Sequence, residues 1–242
     1  MHLIRSHTTN RNGSFTSMDI VTASGIVREA RRSVEAGGGL GDTGFWKLVG
    51  AIKRDPGLHR LIDDVAEIDQ KAFRNWAFLT VPLALGTSLM VLGTVVGLAL
   101  VTVAYQVEGV WSGVWILAGT GVLLVTTHGL AHLVVGTAVG IKFTYWFIGK
   151  ISQPQPGVKT DYSTYLRTPA RSRAWMHAAG ATATKLIPFL MVGAALAAGV
   201  PAWATWALVT VGVATVITDI LWSTKASDWK KFQREMAFAQ DS

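Results

Sequence analysis

The chain of 242 residues contains no cysteine. That excludes disulfides and any thiolate metal site, so its chemistry must draw on imidazole, carboxylate, hydroxyl or amine groups. Charge is the second scarcity. Asp, Glu, Lys and Arg make up 15% of the residues, against roughly 25% in a typical soluble protein. In four stretches, about 77–104, 112–137, 177–200 and 204–222, charge almost disappears. Each stretch has the ~20 residues a helix needs to cross a ~30 Å hydrocarbon core. The first starts too far into the chain to be a cleavable signal peptide. The composition therefore predicts an all-α polytopic membrane protein with four transmembrane helices seated in a lipid bilayer.

The basic residues are abundant but unevenly placed. Eleven of the 22 Lys and Arg lie in residues 1–76, six in 142–173 and four after Trp222, with Lys185 the remaining one. The short segments near 105–111 and 199–203 have none, and Glu108 is the one ionisable side chain there. The positive-inside rule then puts both termini and the long middle loop in the cytoplasm. On this reading the net charge of +7 reports topology, and no nucleic-acid partner is expected.

Residues 1–17 are polar and aperiodic and read as a disordered N-terminus, with Met18 a candidate true start. Residues 18–76 read as a cytoplasmic or interfacial helical region. Ile20, Ala23, Val27, Ala30 and Val34 recur at helical spacing over 19–35. A glycine-rich linker spans 37–44. Phe45, Leu48, Val49 and Ile52 form a short amphipathic stripe expected to lie in the membrane interface. A third helix starts at Asp55, a natural N-cap, followed by Pro56. Its Asp63, Asp64, Glu67 and Asp69 read as a solvated face. Residues 77–224 form the four-helix membrane domain. Residues 225–242 read as a basic interfacial tail, with Trp229, Phe232 and Met236 on one side and Lys230, Lys231 and Arg234 on the other. Gly93 and Gly97 make a small-xxx-small pair in the first span.

Ionisable groups inside spanning helices are costly and mark functional sites. Five occur here: His128 and His132, His177 and Lys185, and Asp219, on the second, third and fourth spans respectively. At 1.5 Å per residue, His132 lies ~8 Å from the cytoplasmic end of its span, and Asp219 and His177 ~5 Å from theirs. His128 and His132 share a helix face. Two imidazoles and a carboxylate at one depth make a sound ligand set for four-coordinate zinc with an open position. Blander readings exist. Asp219 pairs with Lys185 in one, and in another Lys185 serves the Thr184 carbonyl left unpaired by Pro188. His177 fits a supporting or interfacial role.

The segment "HGLAHLVVGTAVGIKFTYWFIGK" (128–150) resembles the signature of the site-2 protease family of intramembrane zinc metalloproteases: a helical HExxH followed by an edge strand, here over 140–149. "RSRAWMHAAGATATKLIPFLMVGAAL" is similar to the segment that opens the family's next helix, and "VITDILWS" takes the position of the aspartate-bearing one. The resemblance covers about half the chain. It implies a three-helix core with a short edge strand or hairpin in the middle loop. It also implies Zn2+ on His128, His132 and Asp219, with Thr218, His177 and Lys185 around them. A substrate helix would unwind along Gly140, Ile141, Phe143 and Gly149 by strand addition.

The family's general-base Glu is Gly129 here, its proline is Ala181, and its asparagine falls near Thr184 or Lys185. A positioned acid/base is worth about 10²–10⁴-fold in rate. Asp161, the one carboxylate in the middle loop, is the candidate to replace it. The sequence thus leaves two main functions open: hydrolysis of membrane proteins near the cytoplasmic face, or a pseudoprotease that binds or regulates a membrane-protein helix. A haem-carrying electron carrier, with His177 opposite His128 or His132, is a minor third.

Overall fold

The structure is a computed structural model that describes residues 18–150, 156–221 and 227–240. The expectation for residues 1–17 lies outside them.

The N-terminal region folds on itself. Asp19 caps α1 (Ile20–Glu35) by accepting the Thr22 N–H. Gly37 and Gly44 take left-handed φ angles that bring the chain back into α2 (Phe45–Ile52). Asp55 caps a 3₁₀ turn (Pro56–Leu61) that leads into α3 (Ile62–Trp76). Pro56 suits that first turn because its missing N–H has no partner there. The apolar stripes of all three helices face one another. Ala23, Ala30, Phe45, Leu48, Ile52 and Val65 are each wholly buried in one core. That core continues through Ile141, Phe143, Tyr165 and Met176 into the rest of the molecule. The stripe expected to lie in the membrane interface, Phe45, Leu48, Val49 and Ile52, is buried against protein, while Trp46 stays exposed.

Four helices follow that are long and apolar enough to cross a bilayer. These are α4 (Leu83–Val103), α5 (Val110–Ala138), α7 (Ala170–Ala197) and α8 (Ala202–Leu221). Their outer faces stay apolar and exposed, for example Leu89, Leu92, Leu186, Leu190 and Trp206. The first span is shorter at its start than the composition predicts. Residues 79–82 form strand β1 (Leu79–Pro82), and the helix begins after Pro82, whose fixed φ suits the residue before a first turn. The third span is longer and opens at Ala170, behind Pro169.

Packing of α4 on α5 uses Gly93, Gly97 and Gly119. A Cβ on Gly97 would lie 2.9 Å from Leu123 Cγ, and one on Gly119 would lie 2.7 Å from the Gly97 carbonyl oxygen. The small-xxx-small pair is therefore a helix contact, where side-chain-free surfaces let the backbones approach.

After α5, Gly140 (φ +88°) turns the chain into β2 (Phe143–Ile148). β2 is the middle strand of a three-stranded antiparallel sheet in the order β1–β2–β3, with β3 at Pro156–Thr160. Register pairs Leu79 with Ile148 on one side and Pro156 with Ile148 on the other. This corrects the edge-strand expectation for residues 140–149. β1 and β3 pair both sides of β2 over 145–148, so no ladder is open there for an incoming strand, and Ile141 and Phe143 are buried in the core. Gly149 lies just past the strand's end. A short α6 (Tyr162–Arg167) leads to α7. The tail helix α9 (Asp228–Gln240) packs along α7.

Candidate metal centre

The histidine spacing works because α5 and α7 run antiparallel and touch. His132 Nδ1 lies 2.8 Å from the Met176 carbonyl oxygen, and His128 Nδ1 lies 3.0 Å from that of Gly180. Two imidazoles one turn apart on α5 thus meet two carbonyls one turn apart on α7. A carbonyl only accepts, so each Nδ1 carries the proton and donates it. Thr184 Oγ1, 2.8 Å from His128 Nδ1, shares that hydrogen. Gly180 makes the seat. A Cβ there would fall 2.1 Å from His132 Nε2.

With Nδ1 protonated, the neutral rings turn bare Nε2 lone pairs outward. Both point at one carboxylate oxygen, Asp228 Oδ2, at 3.2 Å from His128 and 3.0 Å from His132. Lone pairs facing a carboxylate repel unless a proton or a metal cation stands among them. The three ligand atoms lie within 4.8 Å of one another. In a tetrahedral site with ~2.0 Å bonds, ligand atoms sit ~3.3 Å apart, close to the two histidine–aspartate distances. Ligating histidines that donate their second N–H to a backbone carbonyl are the usual support of a metal site. The donor set therefore fits a metal ion.

Asp228 reaches this place as the first residue of α9, where Ser227 caps the helix by accepting the Lys230 N–H. Its other oxygen, Oδ1, is held by Lys231 at 3.1 Å.

Asp219, the carboxylate that the resemblance puts with the histidines, sits instead on the Lys185 ammonium in a direct ion pair. Lys185 also donates to the Ala181 carbonyl at 3.2 Å rather than to that of Thr184. The physical reason is reach: a lysine one helix over lies beside Asp219, and the pair neutralises two charges inside the apolar layer. Asp219, Lys185 and Thr218 still line the same cavity of about 630 Å³ as His128, His132 and Asp228. Thr218 donates to the Ala214 carbonyl.

His177 stands behind the group. Its Nδ1 is 3.9 Å from Asp228 Oδ1 and its Nε2 is 3.0 Å from the Tyr165 hydroxyl. Tyr165 donates its proton to Glu235 at 3.0 Å. Glu235, wholly buried on α9, also receives Lys53 from α2 and Arg173 from α7, the latter at 2.7 Å. One chain of polar contacts therefore runs from the histidine pair to the N-terminal helices. Asp161 is elsewhere: it caps α6 by accepting the Thr164 N–H at 2.8 Å.

Gly129 is filled from outside. A Cβ at Gly129 would lie 2.5 Å from Trp146 Cζ3, and one at Gly86 would lie 2.3 Å from Trp146 Cδ1. The indole of β2 is slotted between two glycines of α4 and α5, and its N–H donates to Thr87 at 3.1 Å. Sequence reasoning missed Trp146, Asp228 and Glu235. For the tail acids a signal existed: both stand in an otherwise basic amphipathic helix, where an acid has no interfacial purpose. Comparison of the chain with protein-family models, with curated proteins and with solved structures finds no match, so the centre rests on its own geometry.

Proposed function

We propose that this protein is an integral membrane zinc protein built on a site-2-protease-like plan, in which the metal clamps the tail helix to the membrane core. The observation that carries the reading is the convergence of two Nε2 lone pairs, each fixed through Nδ1–H to an α7 carbonyl, on the Asp228 carboxylate. Two imidazoles and one carboxylate suit Zn2+, which takes nitrogen and oxygen ligands with tetrahedral geometry. The asymmetry of Lys and Arg favours cytoplasmic termini and a centre near the cytoplasmic face.

The role this geometry favours is binding rather than cleavage. The space beside the first histidine, where a protease of this plan needs its general base, holds the Trp146 indole. Among the described residues, the carboxylates lining the cavity are Asp228, which is needed as a ligand, and Asp219, which is paired with Lys185. The protein then acts as a pseudoprotease that holds or regulates a transmembrane helix of a partner protein. A haem between histidines is disfavoured, because the His132 and His177 rings stand 6.4 Å apart at 75° with Asp228 alongside both.

A second reading, slow hydrolysis, is favoured by the cavity of about 630 Å³ onto which the histidine–aspartate group opens. A bound zinc would supply Lewis acidity and bring a water's pKa toward ~7.

Metal analysis of detergent-purified protein tests the proposal. About one zinc per chain is expected. His132→Ala and Asp228→Ala should lose it, while Asp219→Asn should keep it. Full zinc in Asp228→Ala, or zinc lost in Asp219→Asn alone, overturns the ligand set. Cleavage of co-expressed single-span proteins that stops in His132→Ala would replace the binding role with hydrolysis.

A further inference from the structure

A second cavity, of about 600 Å³, opens between the N-terminal helices, β3, α6 and α9. It is independent of the metal group, although Lys231 and His177 stand on the wall toward it. Its size falls in the range of small-molecule sites, ~300–1,000 Å³.

Its lining has two chemical characters. The first is positive charge: Lys53, Lys150, Lys159, Lys231 and Arg234 line it against one carboxylate, Asp69. The nearby acids do not cancel this excess. Glu235 is divided between Lys53 and Arg173, Asp69 is taken by Lys159 at 2.5 Å, and Asp228 is shared by Lys231 and the histidines. Arg234 and Lys150 are exposed and have no carboxylate within ion-pair distance among the described residues. Lys53 reports the field. Burial pulls its ammonium down to about 8, Arg173 and Arg234 add to that, and Glu235 only partly opposes them.

The second character is aromatic and open-backboned. Trp46, Phe73, Trp76, Tyr162 and Tyr165 line the cavity. The Tyr162 and Tyr165 rings stack at 5.5 Å and 9°. Opposite them runs the glycine loop 37–41, where Gly39 and Gly41 have nothing within 4 Å of a Cβ position. Gly37 and Gly38 give their N–H groups to the Val34 and Ser33 carbonyls, which leaves Gly39 and Gly41 as the glycines of this loop with an N–H for an anion.

We infer that this cavity binds a nucleotide, with its phosphates on the lysine–arginine side and its planar base against the Trp76 and Trp46 rings. The cations alone would accept any phosphate, including a lipid headgroup. The aromatic wall selects for a ring, because a planar base stacks on an aromatic face and a bare phosphate does not.

Titration calorimetry on the full chain in neutral detergent tests this with ATP, AMP and inorganic phosphate, and competition uses nanodiscs containing phosphatidylglycerol. ATP should bind, AMP should bind more weakly, and phosphate should be weaker than AMP by at least about tenfold. Arg234→Gln and Lys150→Gln remove exposed, unpaired cations, so each should weaken ATP by about tenfold at an unchanged melting temperature. Trp76→Leu should erase the preference of AMP over phosphate, and Trp46→Leu, at a half-exposed position, repeats that test should the first variant melt early. The inference is overturned if ATP gives no binding at millimolar concentration. It is equally overturned if phosphate or phosphatidylglycerol binds as tightly as ATP, or if the Arg234→Gln/Lys150→Gln double variant binds ATP like the parent.

Discussion

Two glycines decide what the histidine pair can do. Gly180 is the seat of His132: its hydrogen leaves room that a methyl group, 2.1 Å from Nε2, would take. Gly180→Ala should therefore tilt the ring off the Met176 carbonyl and lower zinc affinity by about 10–100-fold, as loss of a supporting contact does. Equilibrium dialysis against a zinc buffer checks this, and unchanged affinity would mean that the ring does not depend on that seat. Gly129 is the counterpart. Placing a carboxylate there by Gly129→Glu, the residue the resemblance would put at this position, should not create hydrolysis, because the side chain collides with Trp146. It should destabilise the fold by about 1–3 kcal/mol through overpacking, read as a lower melting temperature. Cleavage by that variant would show that the indole yields readily. The sequence made the His128–His132 pair legible, since two imidazoles one turn apart in an apolar helix have few other uses. It could not show Trp146, because that contact joins residues of three elements and leaves no spacing to read.

The tail helix is the element whose role changes most between sequence and structure. Its alternation of Trp229, Phe232 and Met236 with lysines and an arginine is an interfacial pattern, yet the helix is fastened to protein by Asp228 at one end and Glu235 further along. Trp175 of α7 packs against Phe232 with ring centroids 5.7 Å apart. Hydrophobic periodicity reports that a face is covered and is silent on whether lipid or protein covers it; in α2 protein covers Phe45, Leu48, Val49 and Ile52. Glu235 binds three elements at once, so Glu235→Ala leaves Lys53 and Arg173 buried without a counter-charge, at a cost of about 3–5 kcal/mol. Limited proteolysis should then cut in or before α9, where the parent is protected. The same contact sets a pH dependence. Burial raises the Glu235 carboxyl, but Lys53 and Arg173 bring it below its ordinary 4.5. A group depressed on folding contributes stability that is complete above 4.5 and fades as pH falls through its folded value. Docking of α9 should thus hold at neutral pH and loosen below about 4.5, followed by the same proteolysis. Tail protection that persists unchanged well below that pH would show that Glu235 is not the clamp.

In the molecule as a whole, length and apolarity made four helices legible, and their outer faces remain apolar and uncovered among the described residues. What composition could not locate was the join between the helices and the rest. The sheet β1–β2–β3 pairs residues 79–82 with residues more than sixty positions later, and long-range pairing of this kind has no local signature. The join matters for orientation. It places the N-terminal helices, the sheet, α6 and α9 together at one end of the four-helix bundle, with the metal group at its border. Among the described residues, the nine Lys and Arg of 18–76 then lie at the same end as those of the middle loop and of α9, while the segments between α4 and α5 and between α7 and α8 carry none. The positive-inside rule assigns the populated end to the cytoplasm. The absence of cysteine makes this directly testable, because one introduced thiol is the only one in the chain. Glu108→Cys, in the segment between α4 and α5, should react with a membrane-impermeant maleimide on intact cells. Asp42→Cys, exposed between α1 and α2, should react only after lysis. The reverse pattern would put the histidine–aspartate group at the outer face, where the cytosolic zinc supply and cytosolic nucleotides do not reach it. The proposed metal and nucleotide sites therefore share one topological condition, and a single labelling experiment decides it for both.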